Sequence, residues 1–424
     1  MSFFIFLFMI IFCISNLNLM IFVFIIIFFL FVFNFKFSIY VSCFNFFFFD
    51  KFNLVIYYII IFIMIMLFYF IRLGRFTLCF FYYFTNIVIY LIFFVKRVFY
   101  IFIFYEFIFL PLFFFMNLFR YNYERLNSSF YLIVYLLVFS YPFILIMYKY
   151  NFFCFFYLVK FIGFDVFIIF FFFIVFLSKI SFFFFHYWLI KVHVEVSVDL
   201  SIFFSSVLIK LGLYGLLRFL YSYTFIKGFY IFYISVFGLF IISFFNFVNR
   251  DLKVFIAFSS IIYMNMSLIV VFVFNYYSLT RFFLLNFFHS FSSIIYFIGF
   301  GCFNYISKRR LLISNFGYIY IFLNLFFIFF VLIYINLFSP LTLGFIGELI
   351  IFTLFFYLIN YLFIVICFIF LTNLIYNVIF ILNVGFNLFY FYLYIDLKVN
   401  IFLLFVYILI LNLFIFLKLD LFSF

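Results

Sequence analysis

This chain encodes an all-α protein that crosses a membrane many times, and three observations lead to that reading. Hydrophobic residues make up 74% of its 424 positions and charged residues 8%, with a mean hydropathy of +1.54. A soluble domain carries about 25% charged residues, so a soluble surface of this size cannot be covered. The apolar stretches are continuous and lack the strict alternation of a barrel strand, which favours helices over a β-barrel. The polar residues fall in short clusters between those stretches, as loop ends do.

Cutting the chain at its polar clusters gives about fourteen spanning segments. They run over 3–15, 19–34, 54–72, 77–95, 98–119, 129–148, 163–185, 199–222, 229–249, 254–274, 281–303, 316–338 continuing as 345–363, 366–392 and 401–418. The first segment has no basic n-region and no small-residue cleavage site, so it reads as a retained helix rather than a signal peptide. No long hydrophilic insert interrupts the series. Pro111, Pro142 and Pro340 are the three prolines. The run Ser339-Pro340-Leu341-Thr342-Leu343-Gly344 interrupts an apolar stretch just before Gly347-Glu348. A broken helix beside an intramembrane carboxylate points to an ion path.

Phenylalanine occurs 103 times and tyrosine 38 times, while Ala257 is the single alanine. Phe, Ile, Tyr and Asn have AT-rich codons, and lipid-facing positions demand only an apolar side chain. Drift in an AT-biased genome, such as an organelle's, explains this composition better than any role for the rings. Membrane helices usually approach through small residues, so with 12 glycines these must pack through Ser, Gly and interlocking aromatics. The formal net charge of +13 comes from inter-helix clusters such as Arg72 and Arg75, Lys96 and Arg97, and Arg250 and Lys253. These anchor helix ends and give no nucleic-acid signal. The six cysteines are scattered, with no metal, iron–sulfur or redox spacing.

Four charged residues lie inside otherwise apolar stretches: Glu106, Lys179, Lys210 and Glu348. An ionisable group at membrane depth costs about 2.5 kcal/mol or more, so it marks a functional site by default. The plain alternative for any one of them is a static helix–helix ion pair. His289 alone is equally well explained as an interhelical hydrogen-bond partner. His186, Lys191, His193 and Glu195 are expected in a solvated loop, and Lys227, Lys253 and residues 308–310 as interfacial anchors.

The densest polar region carries a motif. It reads Lys179-Ile180-Ser181, His186-Tyr187-Trp188-Leu189, Lys191-Val192-His193-Val194-Glu195, and Lys210-Leu211-Gly212-Leu213-Tyr214-Gly215-Leu216-Leu217-Arg218. Tyr105-Glu106, Glu124-Arg125-Leu126-Asn127, Asp251-Leu252-Lys253, His289-Ser290 and Pro340 through Glu348 follow in a fixed order around it. This resembles the antiporter-like membrane subunits of respiratory complex I, the NADH:ubiquinone oxidoreductase, from about Glu106 to Glu348. Glu348, where sister branches of the family carry lysine, singles out one branch. The pattern departs from the family at Ser181, Ile190 and Ser197, which stand at usual prolines, and at Tyr263, near a common histidine. If Ser181 substitutes for its proline, the helix after Lys179 should still be irregular.

The resemblance implies two inverted five-helix repeats with broken helices. Residues 1–76 would form N-terminal helices, 77–222 the first repeat, 223–363 the second, and 364–424 C-terminal helices. It also implies proton translocation through Glu106, Lys179, Lys210, His289 and Glu348. Desolvation pushes a buried lysine toward neutrality and a nearby carboxylate draws it back, so a Glu106–Lys179 pair would change protonation as a neighbouring charge moves. Lys210 would then receive the proton laterally and His289 would bridge to Glu348. No cofactor or metal is expected in this chain, while flavin, iron–sulfur clusters and ubiquinone belong to partner subunits. The implied partners are the other membrane-arm and accessory subunits and phospholipids, cardiolipin among them, with no nucleic acid. The implied location is the mitochondrial inner membrane. An independent cation/proton antiporter subunit and a structural membrane scaffold are the competing readings.

Overall fold

The computed structural model describes residues 84–118 apart from 90, 94, 96 and 97, then 123–149, 166–222, 229–249, 251–272, 276–307, 348–349, 352–353 and 360–386. The segments expected at 3–15, 19–34, 54–72, 316–338 and 401–418 lie outside these residues, as does the expected break from Pro340 to Gly347. Among the described residues every regular element is helical. Among the described residues four helical stretches are long and apolar enough to cross a membrane: Phe99–Asn117, Tyr123–Ile146, Val198–Leu217 and Leu252–Val271.

The chain divides into two units, Met1–Pro111 and Leu112–Phe424. The first contains α1 (Val98–Phe107). A turn at Ile108 separates it from α2 (Phe109–Leu118), where one uninterrupted segment was expected. Pro111 supplies the reason. Its ring clashes with the carbonyl four residues back, but it is tolerated in the first turn of a helix, where the N–H has no intrahelical partner. The helix therefore restarts at Phe109, two residues before the proline.

The second unit begins with α3 (Tyr123–Lys149), which stays helical through Pro142. Glu124 lies in its first turn, where a negative charge complements the helix dipole. Phe130, Val134, Leu137, Tyr141 and Leu145 are all exposed. They recur at three- and four-residue intervals and form one apolar stripe on a helix.

Helix α4 (Val166–Ile180) leads through a 3₁₀ turn at Phe183–Phe185 into α5 (Tyr187–Glu195). Then come α6 (Val198–Phe203), a π-helical turn at Phe204–Leu208 and α7 (Ile209–Ser222). Helices α8 (Phe229–Val248), α9 (Leu252–Phe272) and α10 (Tyr276–Ser307) follow, and α11 covers Asn360–Phe386. In this unit α3 packs on α4 and α5, α4 on α7, α8 on α9, α9 on α10, and α11 on α8. Aromatic contacts lock the last helix down. Phe255 of α9 meets Tyr376 at 4.4 Å between ring centroids, and Phe240 of α8 meets Phe368 at 5.6 Å.

The expectation that Ser, Gly and rings replace alanine at close contacts matches this packing. Ser201, Ser205, Ser206, Ser235 and Ser260 are buried. Each returns its hydroxyl to a carbonyl three or four residues earlier on its own helix. That bond removes the desolvation cost of the hydroxyl and leaves a small side chain at the contact. Gly215 brings α7 against α4, because a Cβ there would lie 2.3 Å from the Phe176 ring. Gly215→Val should therefore drive apart the two helices that carry Lys179 and Lys210, at a cost of about 1–3 kcal/mol. A lower melting temperature of the protein in detergent, relative to the parent, is the measurement that checks it.

Candidate functional site

Lys179 sits in the last turn of α4 and is buried. The helix ends one residue later, and Ser181 adopts φ 62°, a left-handed conformation uncommon for residues other than glycine. The expected irregularity is thus present without proline. Carbonyls near the break find donors, as they must where no bulk water reaches. Leu177 O accepts from Phe182 N–H at 3.2 Å, and Ser178 O from the indole N–H of Trp188 at 3.0 Å. Val175 O accepts from the Ser178 hydroxyl at 2.8 Å, and the Ser181 hydroxyl bonds Ile180 O. Tyr135 of α3 donates to Phe185 O at 3.0 Å, fixing the turn from the side. Trp188, the single tryptophan, bridges the two halves of the broken helix.

The segment from His186 to Glu195, expected as a solvated loop, is instead helical from Tyr187 onward and partly interior. Trp188, Leu189, Val192 and His193 are buried on one side of α5, while Lys191 points outward, 4.3 Å from the centre of the Tyr131 ring. His193 stacks on Phe297 of α10 at 5.1 Å and 19°. Among the described residues neither of its ring nitrogens has a protein partner.

Lys253 corrects a second expectation. It is not an interfacial anchor but a buried residue, whose Nζ donates to Val194 O at 3.1 Å and to Val196 O at 2.6 Å. Arg125 Nε donates to the intervening Glu195 O at 2.9 Å. Two cations from α9 and α3 thus cap three successive carbonyls at the C-terminal end of α5. Its partial negative charge favours them. Ser197, at a usual family proline, keeps φ −62° and ψ 156°, the value a proline ring would enforce. The backbone geometry survives although the residue that imposes it is gone.

Lys210 follows the π-helical turn. Ile209 N–H bonds Phe204 O, five residues back, rather than Ser205 O as an α-helix would have it. Ser205 O instead accepts from Lys210 Nζ at 2.6 Å. The same Nζ lies 2.6 Å from Nδ1 of His289 on α10. A π-turn of this kind commonly marks a functional position. With the ammonium as donor, Nδ1 accepts and the ring proton resides on Nε2. Transfer of one proton across this contact would convert ammonium and imidazole into amine and imidazolium, so the geometry permits proton exchange. His289 and Lys210 are both buried. The ring of Tyr263 on α9 lies 5.1 Å from the His289 ring.

Glu348 is buried in a short helical stretch at 348–349. Glu106 is partly buried on α1 in the first unit. The structure thus joins Lys210 to His289 directly and places Lys179 at a helix break. Sequence reasoning missed Lys253, Arg125 and Trp188 as parts of the site, because their partners are backbone carbonyls, which leave no sequence signal.

A helical membrane unit with a buried lysine–histidine contact and a lysine at a broken helix defines an antiporter-like subunit. The chain belongs to the family described as NADH:quinone oxidoreductase/Mrp antiporter, transmembrane, whose pattern matches residues 96–374. It is 30% identical over 236 residues to the NADH-ubiquinone oxidoreductase chain 4 of Locusta migratoria, covering 54% of this chain and 53% of the relative. The chain 4 protein of Caenorhabditis elegans is 30% identical over 190 residues, covering 45% and 46%. The chain spans about half the length of the curated relatives it matches. Among solved structures, a chain of respiratory complex I from Thermus thermophilus with bound NADH aligns with a TM-score of 0.74 at 15% identity, covering 87% of this chain and 81% of that one. A chain of the membrane-bound sulfane sulfur reductase, an archaeal respiratory membrane complex, gives 0.72 at 13% identity, covering 88% and 80%. These two likenesses establish the fold.

Proposed function

We propose that this chain is the subunit 4 homologue of a mitochondrial NADH:ubiquinone oxidoreductase, and that it moves protons across the inner membrane. The observation that carries the proposal is the 2.6 Å contact between Lys210 and His289, both buried. A static ion pair would set a carboxylate against the lysine, whereas this partner itself accepts and passes on a proton. The chain 4 relatives and Glu348 support the choice of subunit.

In this reading Glu106 and Lys179 form a coupled pair, Lys210 receives the proton laterally, and His289 hands it toward Glu348. The orphaned ring nitrogens of His193 and the buried amide of Asn265 are polar groups that internal waters would serve along such a path. About fourteen helices in two inverted five-helix repeats would complete the fold. Electron transfer takes place in partner subunits, which hold the flavin, iron–sulfur clusters and ubiquinone. The other membrane-arm and accessory subunits and phospholipids such as cardiolipin surround the chain. Lys179→Ala is expected to abolish most NADH-driven proton uptake into sealed membrane vesicles while the complex still assembles. Near-normal uptake in that variant would remove Lys179 from the path.

The breadth of the family, which includes Mrp antiporters, keeps a second reading in play, that of an independent cation/proton antiporter subunit. Co-purification decides between them. Migration of this chain with flavin and iron–sulfur subunits on a native gel excludes the independent antiporter.

A further inference from the structure

The turn between α4 and α5 is held from two sides. On one side the Tyr135 hydroxyl of α3 donates to Phe185 O at 3.0 Å. On the other, α8 brings Gly238 against Phe183, whose ring also meets Phe237 edge-on at 6.2 Å. A Cβ at position 238 would lie 2.5 Å from Phe183 Cβ and 2.7 Å from its Cγ, about 1 Å inside ordinary carbon–carbon contact. At Gly215 the nearest atoms belong to the far edge of a ring. At Gly238 the obstacle is the root of the side chain, which moves only with its backbone. A push on Phe183 reaches α4, because the neighbouring Phe182 N–H is bonded to Leu177 O at 3.2 Å, in the last turn of the helix that carries Lys179. Between them Ser181 stands at φ 62°, a conformation that a residue other than glycine keeps only when its surroundings hold it there.

We propose that Gly238 and Tyr135 are positioning residues for Lys179: α8 and α3 together fix the turn, and the turn fixes where the lysine stands at the end of α4. The inference rests on the reading of Lys179 as a proton carrier and adds what holds it in place. Gly238 serves by its lack of a Cβ, since any side chain there displaces the backbone at Phe183. Tyr135 serves through its oxygen, since a ring without a donor does not orient the Phe185 carbonyl. Neither residue touches the lysine, and each acts through the three-residue turn at Phe183–Phe185.

The test uses the assembled complex in sealed membrane vesicles, with assembly read on a native gel and proton uptake per NADH oxidised measured across pH. Gly238→Ala should lower uptake by about tenfold or more, the scale of a misplacement near 1 Å. Tyr135→Phe keeps the ring, loses the donor and should lower uptake by about threefold, as for one lost hydrogen bond. In both variants the pH midpoint of uptake should shift, because a displaced lysine titrates in a changed field. A purely structural loss lowers the amplitude and leaves the midpoint in place, and that result overturns the proposal. At Gly301 an added Cβ would meet the Val198 side chain at 3.2 Å, so Gly301→Ala should pump like the parent. A loss there equal to that of Gly238→Ala would make the effect one of general packing and overturn the inference. Lys179→Ala separates the inference from the reading beneath it. If that variant is blocked while Gly238→Ala and Tyr135→Phe pump like the parent, Lys179 carries protons but these contacts do not position it. If Lys179→Ala pumps like the parent, the reading and the inference fall together. Should Gly238→Ala fail to assemble, the midpoint in Tyr135→Phe decides alone.

Discussion

Replacement of Lys210 by methionine is expected to stop proton transfer through this chain while leaving it folded. Methionine matches the lysine stem in length and volume, and swaps that conserve volume are well tolerated in packed interiors. Removal of the ammonium leaves Ser205 O without its side-chain donor, at about 1–3 kcal/mol. It also removes a charge that was expensive to bury, so the two changes largely offset. Transport has no such compensation, because the 2.6 Å exchange contact with His289 Nδ1 vanishes. Proton uptake per NADH oxidised in vesicles should drop by about 10²-fold, the scale of a lost proton-transfer group. Lys210→Arg sharpens the result. Arginine keeps the positive charge but does not deprotonate in proteins, so it too should block. Uptake at the parent rate with arginine would mean that Lys210 acts as a fixed cation and never as a proton carrier.

The second large effect is on stability. Lys253→Met removes the donors to Val194 O and Val196 O at the end of α5, leaving Arg125 alone on Glu195 O. Two interior carbonyls then lack their donor, and the end of the helix loses a complementary charge. Together these should cost about 2–4 kcal/mol. The cost falls on the α5–α6 junction, which orders His193 and leads into the π-turn before Lys210. Lowered thermal stability of the purified complex is the expected result, with partial recovery in Lys253→Arg. A parent-like melting temperature for Lys253→Met would show that these hydrogen bonds contribute nothing net. Lys191 is the contrast: it is exposed on the same helix with its charge over Tyr131, and its removal should leave the melting point unchanged.

The two lysines differ in how legible they were. Lys210 stood out because it lies in an apolar run, where a charge is conspicuous against its neighbours. Lys253 follows Asp251 at the start of its helix and read as an ordinary loop-end anchor, yet it is buried as deeply. Its role depends on carbonyls 59 and 57 residues away in sequence, and every residue type carries a carbonyl. The same limit hid Trp188, whose indole serves Ser178 O across the helix break. Conversely, irregularity after Lys179 was expected only on condition that Ser181 substitutes for the missing proline. The structure supplied the means, a left-handed Ser181 with donors to Leu177 O and Ser178 O.

By itself the sequence determined the class: helices, a membrane, and a short set of intramembrane charges. These follow from composition and local order, since apolar runs of spanning length have few other stable fates in water or lipid. It also marked α6 with α7, α8 and α9 closely, because polar residues end spanning helices, whereas α5 had been expected as a loop. Only the tertiary structure decided which buried groups meet. The Lys210–His289 contact joins α7 to α10, and the cap on α5 draws on α3 and α9. The π-turn that leaves Ser205 O for Lys210 lies in Phe204–Leu208, a segment whose sequence does not mark it. Such pairings arise from how helices cross and which carbonyls a bend releases, and those are properties of the assembled bundle.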